Sequence, residues 1–497
     1  LEEVNKKGFA QILKATSLFG GVQIVTILFS IIRTKFAAVL LGPAGMGIIG
    51  LFSSTIDFFG AATSFGISTA GVRSLAEAGS DGDEFKTGKT ISIVKNLVWI
   101  TGFFGLAVLI IFSPFLSKWI FGNSDFIWGF VALSITLLLN QLLAARMVLI
   151  QGMRRISLLA LIYIVNAVAS VLITVPLYYF LGEKGIVPAL ILISLSSFLV
   201  SLYFSKRVPY LRIKVGLGES LLEGKGMLKL GFFIGLSGLL TLASAYLLRI
   251  FINNVGTLED VGLYNAGFAI INTYVGLVFT AMATDYFPRL SSAIGEVKGF
   301  SLVANQQLEI AILLLGPILC WFIIFINPII VILYSEAFRP INEMLLWSGT
   351  GMIFKGIGWC LGYIILAKGS SRFFFTNELI ALIYQLAINL AGYYFFGLKG
   401  LGISFLIGYV IYAIQVMVVS RWFYSYEFEF KILKKFLILS ILISICMICF
   451  YFLERPIYLF GVGTSVCILA SIYTFRELDK STDLLQKVKQ KISDRFS

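Results

Sequence analysis

Residues 24–52 read IVTILFSIIRTKFAAVLLGPAGMGIIGLF: an apolar helix, a short Gly-Pro turn and a second apolar helix. Two cations, Arg33 and Lys35, lie inside the first helix. A charge at membrane depth costs several kcal/mol, so it faces a bundle interior or a wet cavity rather than lipid. The pattern returns about 216 residues later: Arg33 recurs as Arg249, Gly60 as Gly276, Arg73 as Arg289 and, with one residue of slippage, Gly47 as Gly262. Two copies of one helical unit follow, each with an arginine inside its first helix. Such repeats are a usual construction of membrane carriers.

Composition fixes the class. Of 497 residues 58% are hydrophobic and 13% charged, and the mean hydropathy is +0.94, which excludes an ordinary soluble domain. The net charge of +13 belongs first to cytoplasmic loops, not to nucleic acid. There is no outer-membrane-type β alternation, and no cleavable signal pattern before the first apolar run. The expected fold is an all-α polytopic bundle. The cysteines Cys320, Cys360, Cys446, Cys449 and Cys467 all sit in apolar runs, so neither a disulfide framework nor a metal site is expected. Cys446 and Cys449 form C-x-x-C inside a lipid-type helix, where small apolar filler is the default. Histidine is absent, so any proton coupling must use carboxylates.

A window of about 20 apolar residues per span gives fourteen candidate spans: 14–41, 45–76, 91–112, 127–150, 156–181, 186–204, 230–253, 261–286, 306–333, 341–367, 374–396, 401–422, 436–453 and 457–475. The run SPFLSKWIFGNSDF after the third reads as interfacial, with Trp119 and Trp128 at headgroup level. The expected domains are a six-helix bundle over 1–204, a cytoplasmic linker over 205–229, a second six-helix bundle over 230–424, two additional spans over 425–475 and a basic amphipathic tail over 476–497. With the N-terminus inside, about 30 of the 39 Lys+Arg fall in cytoplasmic segments, so both termini are expected there. Six helices separate the copies, so the halves are related by an axis along the membrane normal, with Arg33 and Arg249 facing each other at similar depth.

No Ser/His/Asp set, metal cluster or P-loop is present, so no catalytic residue and no enzyme activity are expected. The chemistry is electrostatic. Arg33, Lys35, Arg249 and Lys355 are intramembrane cations; Asp57, Asp285, Glu309 and Glu378 are intramembrane or near-edge acids. The cations suit a phosphate or pyrophosphate in a wet cavity; the plain alternative is interhelical ion pairs. Asp57 is placed to neutralise Arg33 or Lys35, while its repeat equivalents, Asn272 and Thr273, are uncharged, which leaves Arg249 without an acid. Arg73 and Arg289 mark the inner ends of their helices, as anchors or as a cytoplasmic mouth. Asp57 and Glu309 are the candidates for ion coupling, with H+ or Na+ as the ion and no other cofactor. Glu378 reads as tied to Lys368 or Arg372. Asn140, Gln141, Asn166, Asn272, Gln385 and Asn389 suit either a sugar-compatible cavity or helix–helix hydrogen bonds.

The segments LGPAGMGIIGLF, IFGNSDF, GLYNAGFAIINTYVGLVFTAMATDYFPRLSSAIGE and KGIGWCLGYIILAKGSSRFFFTNE, in that order, resemble the Wzx-type O-antigen or lipid-linked oligosaccharide flippases. These belong to the multidrug/oligosaccharidyl-lipid/polysaccharide exporter superfamily. The resemblance covers about 14–422. It implies two six-helix bundles around a central cavity lined by helices one, two, seven and eight. It also implies inward-to-outward flipping of an undecaprenyl-diphosphate-linked oligosaccharide at the bacterial inner membrane. Lys35, Arg249 and Lys355 match positions where family members carry cations; Arg33 comes from the internal repeat alone. The two C-terminal spans depart from a twelve-helix plan. The implied partners are the lipid-linked substrate, membrane lipids, and a polysaccharide polymerase or other assembly proteins.

The expected activity is therefore alternating access around a cationic cavity, with ion binding at a carboxylate as the reset. The rivals are a flippase for a lipid II-type wall precursor, a MATE-type cation or drug exporter, and a non-transporting scaffold. Buried cations argue against the cationic-drug reading, and a scaffold gains little from the cost of burying them.

Overall fold

A computed structural model describes the backbone of residues 2–80, 83–369, 371–453 and 455–482; side chains are described from residue 21, except at 80, 274, 275, 277, 280, 281, 284, 371, 481 and 482. The described residues are helical almost throughout, as they must be where lipid offers backbone groups no hydrogen bonds. Ten helical stretches are long and apolar enough to cross a membrane. Three of them, 21–64, 156–205 and 372–424, each hold two arms folded at a glycine. With the broken helix over 258–292 this makes the fourteen expected crossings. The protein is an all-α polytopic membrane protein.

The folds fall at Gly42 (φ 65°, ψ −171°) inside α1 (Glu2–Ser64), Gly182 (φ 56°, ψ −134°) after α5 (Ile156–Leu181), and Gly397 (φ 58°, ψ −141°) inside α13 (Ser371–Tyr424). That corner of backbone space is almost closed to residues with a Cβ. Gly182 and Gly397 sit in matching sequence, YYFLGEKG and YYFFGLKG, 215 residues apart. The turn is thus a second mark of the internal repeat.

Several boundaries differ from the sequence reading. Span two is not continuous to residue 76: left-handed Phe65 and Gly66 (φ 48° and 63°) end α1 at Ser64, and α2 (Ile67–Ser80) starts anew. The expected interfacial run SPFLSKWIF is the last turns of α3 (Glu84–Phe121), which tolerates Pro114. Span eight is divided into α8 (Leu258–Ala269), a π turn over Ile270–Val275 and α9 (Leu277–Ser292). Span nine becomes α10 (Val297–Ile324) and a short α11 (Ile326–Leu333).

The stretch 205–229 is not a loose linker. Its second half opens α7 (Leu217–Val255), and its first half is stapled to α3, where Ser92 Oγ donates to Ile213 O (2.5 Å) and Asn96 Nδ2 to Val215 O (3.0 Å). Val208 is buried there with Leu97, Leu149 and Ile162. In the tail, α15 (Pro456–Thr482) carries 476–482, while Leu485, Val488, Ile492 and Phe496 lie outside the described residues.

The chain forms two compact units. Unit 1 comprises 1–262 with 333–335, and unit 2 comprises 263–332 with 336–497. Unit 1 therefore contains α7, the first helix of the second repeat, packed on α1, α2 and α3. Its remaining helices are α4 (Ile127–Gly152), α5 and α6 (Ile186–Ser205). In unit 2, α12 (Asn342–Ala367) packs on α10 and α13, and the hydroxyl of buried Tyr286 donates to Cys360 O (2.7 Å). The two additional helices, α14 (Phe430–Phe452) and α15, dock on α10; Thr474 Oγ1 donates to Leu313 O (3.1 Å).

Candidate functional site

The two arms of α1 carry Arg33, Lys35 and Asp57, and α1 packs against α5 and α7. Arg33 and Lys35 are half-buried. The group facing Arg33 is the Tyr178 phenol of α5, not Asp57. Asp57 stands fifteen residues past Gly42, about 22 Å along its arm, yet its side chain is exposed. The cation that it faces is Arg249 of α7. A carboxylate opposite an arginine at that depth calls for a bundle interior or water around it rather than lipid.

This corrects the sequence reading at two points. Asp57 does not neutralise Arg33 or Lys35, and Arg249 does have an acid. The repeat comparison looked for that acid in the second copy, at Asn272 and Thr273; packing supplies it from the first. Arg33 and Arg249, though repeat mates, look onto different partners.

Side chains of α7 aim Arg249. Its Nη1 donates to Ala245 O (3.0 Å), so the guanidinium bends back along its own helix. One turn earlier, Tyr246 is 3% exposed; its Oη shares a 2.7 Å hydrogen bond with buried Thr55 Oγ1, and its ring lies 5.8 Å from Phe58. Thr55 and Phe58 flank Asp57, so this clamp fixes which faces of α1 and α7 meet. Nothing in the residue types of Thr55 or Tyr246 signals that role; only the packed helices pair them.

The second arm of α1 meets the start of α8 through glycines. A Cβ on Gly47 would stand 2.0 Å from Leu258 O, and one on Gly262 only 1.8 Å from Pro43 O. The repeated glycines of the sequence are thus each other's contact surface. Asn253 and Asn254 extend the tie to α3, where they donate to Ile120 O (2.5 Å) and Trp119 O (3.1 Å).

Lys355 belongs to unit 2. Its Nζ donates to Asn272 Oδ1 (2.6 Å) on the π turn and lies 5.4 Å and 5.7 Å from the ring centres of Tyr409 and Phe405. Those rings also line a small cavity with Gln385 and Asn389, so three of the expected interior amides gather near one cation. Gln141 instead donates to Gly60 O (3.4 Å) as a helix tie.

Glu309, expected as a coupling carboxylate, is held in an ion pair. Lys435 Nζ of α14 lies 2.5 Å from Glu309 and 2.8 Å from Glu477 of α15, with the three side chains 12–16% exposed. The network binds α10, α14 and α15, which gives Glu309 a structural place. Glu378 is also not where its sequence neighbours suggested. It accepts from Tyr412 Oη (2.6 Å) and Asn377 Nδ2 (3.3 Å), while Lys368 donates to Ile294 O (3.1 Å). At the helix ends Arg73 pairs with Glu77 (2.8 Å) and Arg289 with Asp285 (3.4 Å), each along its own helix.

The helices of unit 1 carry Arg33, Lys35 and Arg249 at membrane depth, with the Asp57 carboxylate acting on Arg249. Such a set can bind a multiply charged anion, provided Asp57 yields Arg249. A family model described as polysaccharide biosynthesis protein matches residues 37–343. The chain belongs to that family. Within it, the chain is 24% identical over 370 residues to the lipid III flippases of Escherichia coli (strain K12) and Shigella flexneri, covering 69% of this chain and 82% of each relative. Among solved structures, this family member is similar to the lipid II flippase MurJ in an inward closed conformation, with TM-score 0.68 and 15% identity over 95% of this chain and 100% of that one. It is also similar to an inward-facing multidrug resistance MATE family transporter of the MOP superfamily, with TM-score 0.67 and 16% identity over 80% of this chain and 94% of that one. At these identities the likeness establishes the fold. Residues 425–497 are 73 of 497, so a match over 95% of the chain takes in part of the α14–α15 region as well.

Proposed function

We propose that this family member is a flippase carrying an undecaprenyl-diphosphate-linked oligosaccharide, an O-antigen-type repeat unit, from the cytoplasmic to the outer leaflet of a bacterial inner membrane. The observation that carries the reading is the attraction between Arg249 and Asp57 at membrane depth in unit 1. The diphosphate binds Arg249 with Arg33 and Lys35. A planar guanidinium offers a diphosphate paired donors, which a lysine does not. To bind there the anion must displace the Asp57 carboxylate. Neutralising Asp57 with H+ or Na+ frees Arg249, and losing that ion restores the pair and expels the anion. Ion coupling of alternating access follows from this competition. Glu309 takes no part in it. Both termini lie in the cytoplasm, and the sugars occupy the cavity while the polyprenyl chain stays in lipid.

A second reading, a flippase for a lipid II- or lipid III-type precursor, is favoured by the names of the similar proteins above. It uses the same anion chemistry. Mass spectrometry of lipids that co-purify with the full chain separates the readings. A repeat-unit oligosaccharide on a polyprenyl diphosphate supports the first, and a wall-precursor headgroup the second. A bound organic cation, with no lipid-linked sugar, would sink both.

A further inference from the structure

Unit 2 holds a long apolar groove outside the anion site. One part, of about 350 Å³, is lined by apolar side chains of α10, α12, α13 and α14. A second part, of about 440 Å³, continues along the α12–α13–α14 seam. Both are lined by Phe354, Val410 and Phe436, so they form one groove, pinched where the Phe354 and Phe436 rings meet edge to face at 5.6 Å. One side lies open: Ile407, Ile414 and Leu433 on its walls are 44%, 59% and 40% exposed.

The length of the groove selects its occupant. Its α13 wall runs from Leu406 to Val418 and its α14 wall from Ile432 to Ser444. Each is thirteen residues, or twelve rises of 1.5 Å, about 18 Å. That is close to one leaflet of a hydrocarbon core about 30 Å thick. It suits one acyl chain and is too short for an extended polyprenyl chain.

One end of the groove is built for a headgroup. Arg421 follows Met417 by four residues and Val418 by three, so it extends the lining face of α13 beyond the apolar stretch. It is exposed, and no acid pairs with it among the described residues. Beside it Trp422 is 79% exposed, as expected of a tryptophan at headgroup depth. A cation at the interface above a dry groove of one-leaflet length complements a phosphate ester on an acyl glycerol.

We infer that the groove between α13 and α14 is a binding site for a membrane glycerophospholipid, with one acyl chain along Val410 and Phe436 and the phosphate on the Arg421 guanidinium. The lipid is resident, not cargo. It fills the gap between α13 and α14, beside the α10 face on which α14 docks.

Native mass spectrometry of the delipidated full chain tests this, with dioleoyl phosphatidylglycerol, dioleoylglycerol and undecaprenyl phosphate as probes. The wild type is expected to retain one phosphatidylglycerol at least about tenfold better than dioleoylglycerol, which has the same chains and no phosphate. Arg421→Gln, at an exposed position, should remove that difference while the melting temperature stays at the wild-type value with lipid absent. Val410→Phe, which fills the pinch, should weaken both dioleoyl lipids together; Ile414→Trp serves the same purpose if that variant melts early. Equal retention of the two dioleoyl lipids by wild type, or a phosphate preference that survives Arg421→Gln, overturns the assignment. So does undecaprenyl phosphate displacing phosphatidylglycerol from wild type but not from Val410→Phe, which would make the groove a path for the cargo lipid.

Discussion

Lys435→Met is the sharpest test of whether Glu309 is a structural group or a coupling group. In the folded protein Lys435 joins Glu309 (2.5 Å) and Glu477 (2.8 Å), and the three side chains are 13%, 12% and 16% exposed. Removing one partner of a buried ion pair costs about 3–5 kcal/mol, because the other charge is stranded. Here Glu309 loses Lys435 while Glu477 keeps Lys480 (2.7 Å), and both carboxylates have slight solvent access and can take up a proton, so the low end, about 3 kcal/mol, is expected. At about 2–4 °C per kcal/mol for larger domains, the melting temperature should fall by about 6 °C or more. The assay has a native reporter. Cys320 on α10, Cys446 on α14 and Cys467 on α15 are all 0% exposed, so a thiol-reactive fluorophore should light up as those helices part. Glu309→Gln alone should cost less than Lys435→Met, since Glu477 still holds Lys435. The triple variant Glu309→Gln/Lys435→Met/Glu477→Gln should regain most of the loss, because the one cation it leaves without Glu477 is the exposed Lys480. Wild-type melting of Lys435→Met would refute the reasoning. So would a Glu309→Gln protein that melts normally yet loses the ion dependence of transport.

Other expectations follow from single contacts. In a surface-polysaccharide complementation assay, Arg249→Ala should abolish activity, Arg249→Lys keep a part of it and Arg249→Glu be worst, while Asp57→Asn should flatten the pH or sodium dependence; full activity of Arg249→Ala would remove the anion site. Gly47→Ala and Gly262→Ala should each impair transport, since the new methyl would lie 2.0 Å or 1.8 Å from a carbonyl oxygen, whereas Gly60→Ala, whose nearest neighbour would be 3.7 Å away, should be tolerated; equal behaviour of the three would refute the close approach. For topology, a cysteine at exposed Lys225 should resist impermeant thiol reagent in intact cells while one at exposed Asn123 reacts, and the reverse pattern would invert the orientation. Ser220 is unsuitable for that test because it is 0% exposed, bonded between Asn96 and Gly216 O.

The sequence by itself determined the class, the fourteen crossings and the candidate cations. Apolar runs of spanning length leave the backbone no choice but helix, and a charge within such a run is conspicuous whatever surrounds it. The repeat was legible in Gly47 and Gly262, which persist where two backbones nearly touch, while the matching turns at Gly182 and Gly397 emerged with the fold. Helix interruptions at Phe65 and over Ile270–Val275 were not legible, because the few small polar residues there leave a span-length window apolar on average. The partners of Asp57, Glu309 and Glu378 belonged to the tertiary structure. Asp57 lies 24 residues from Arg33 and 192 from Arg249, yet it faces Arg249; Glu309 finds its cation 126 residues away; Glu378 ignores nearby Lys368 for a tyrosine 34 residues on. Coulomb attraction is a matter of distance in space, and in a bundle that distance is set by which helical faces pack, a property of all the helices together and of no single stretch.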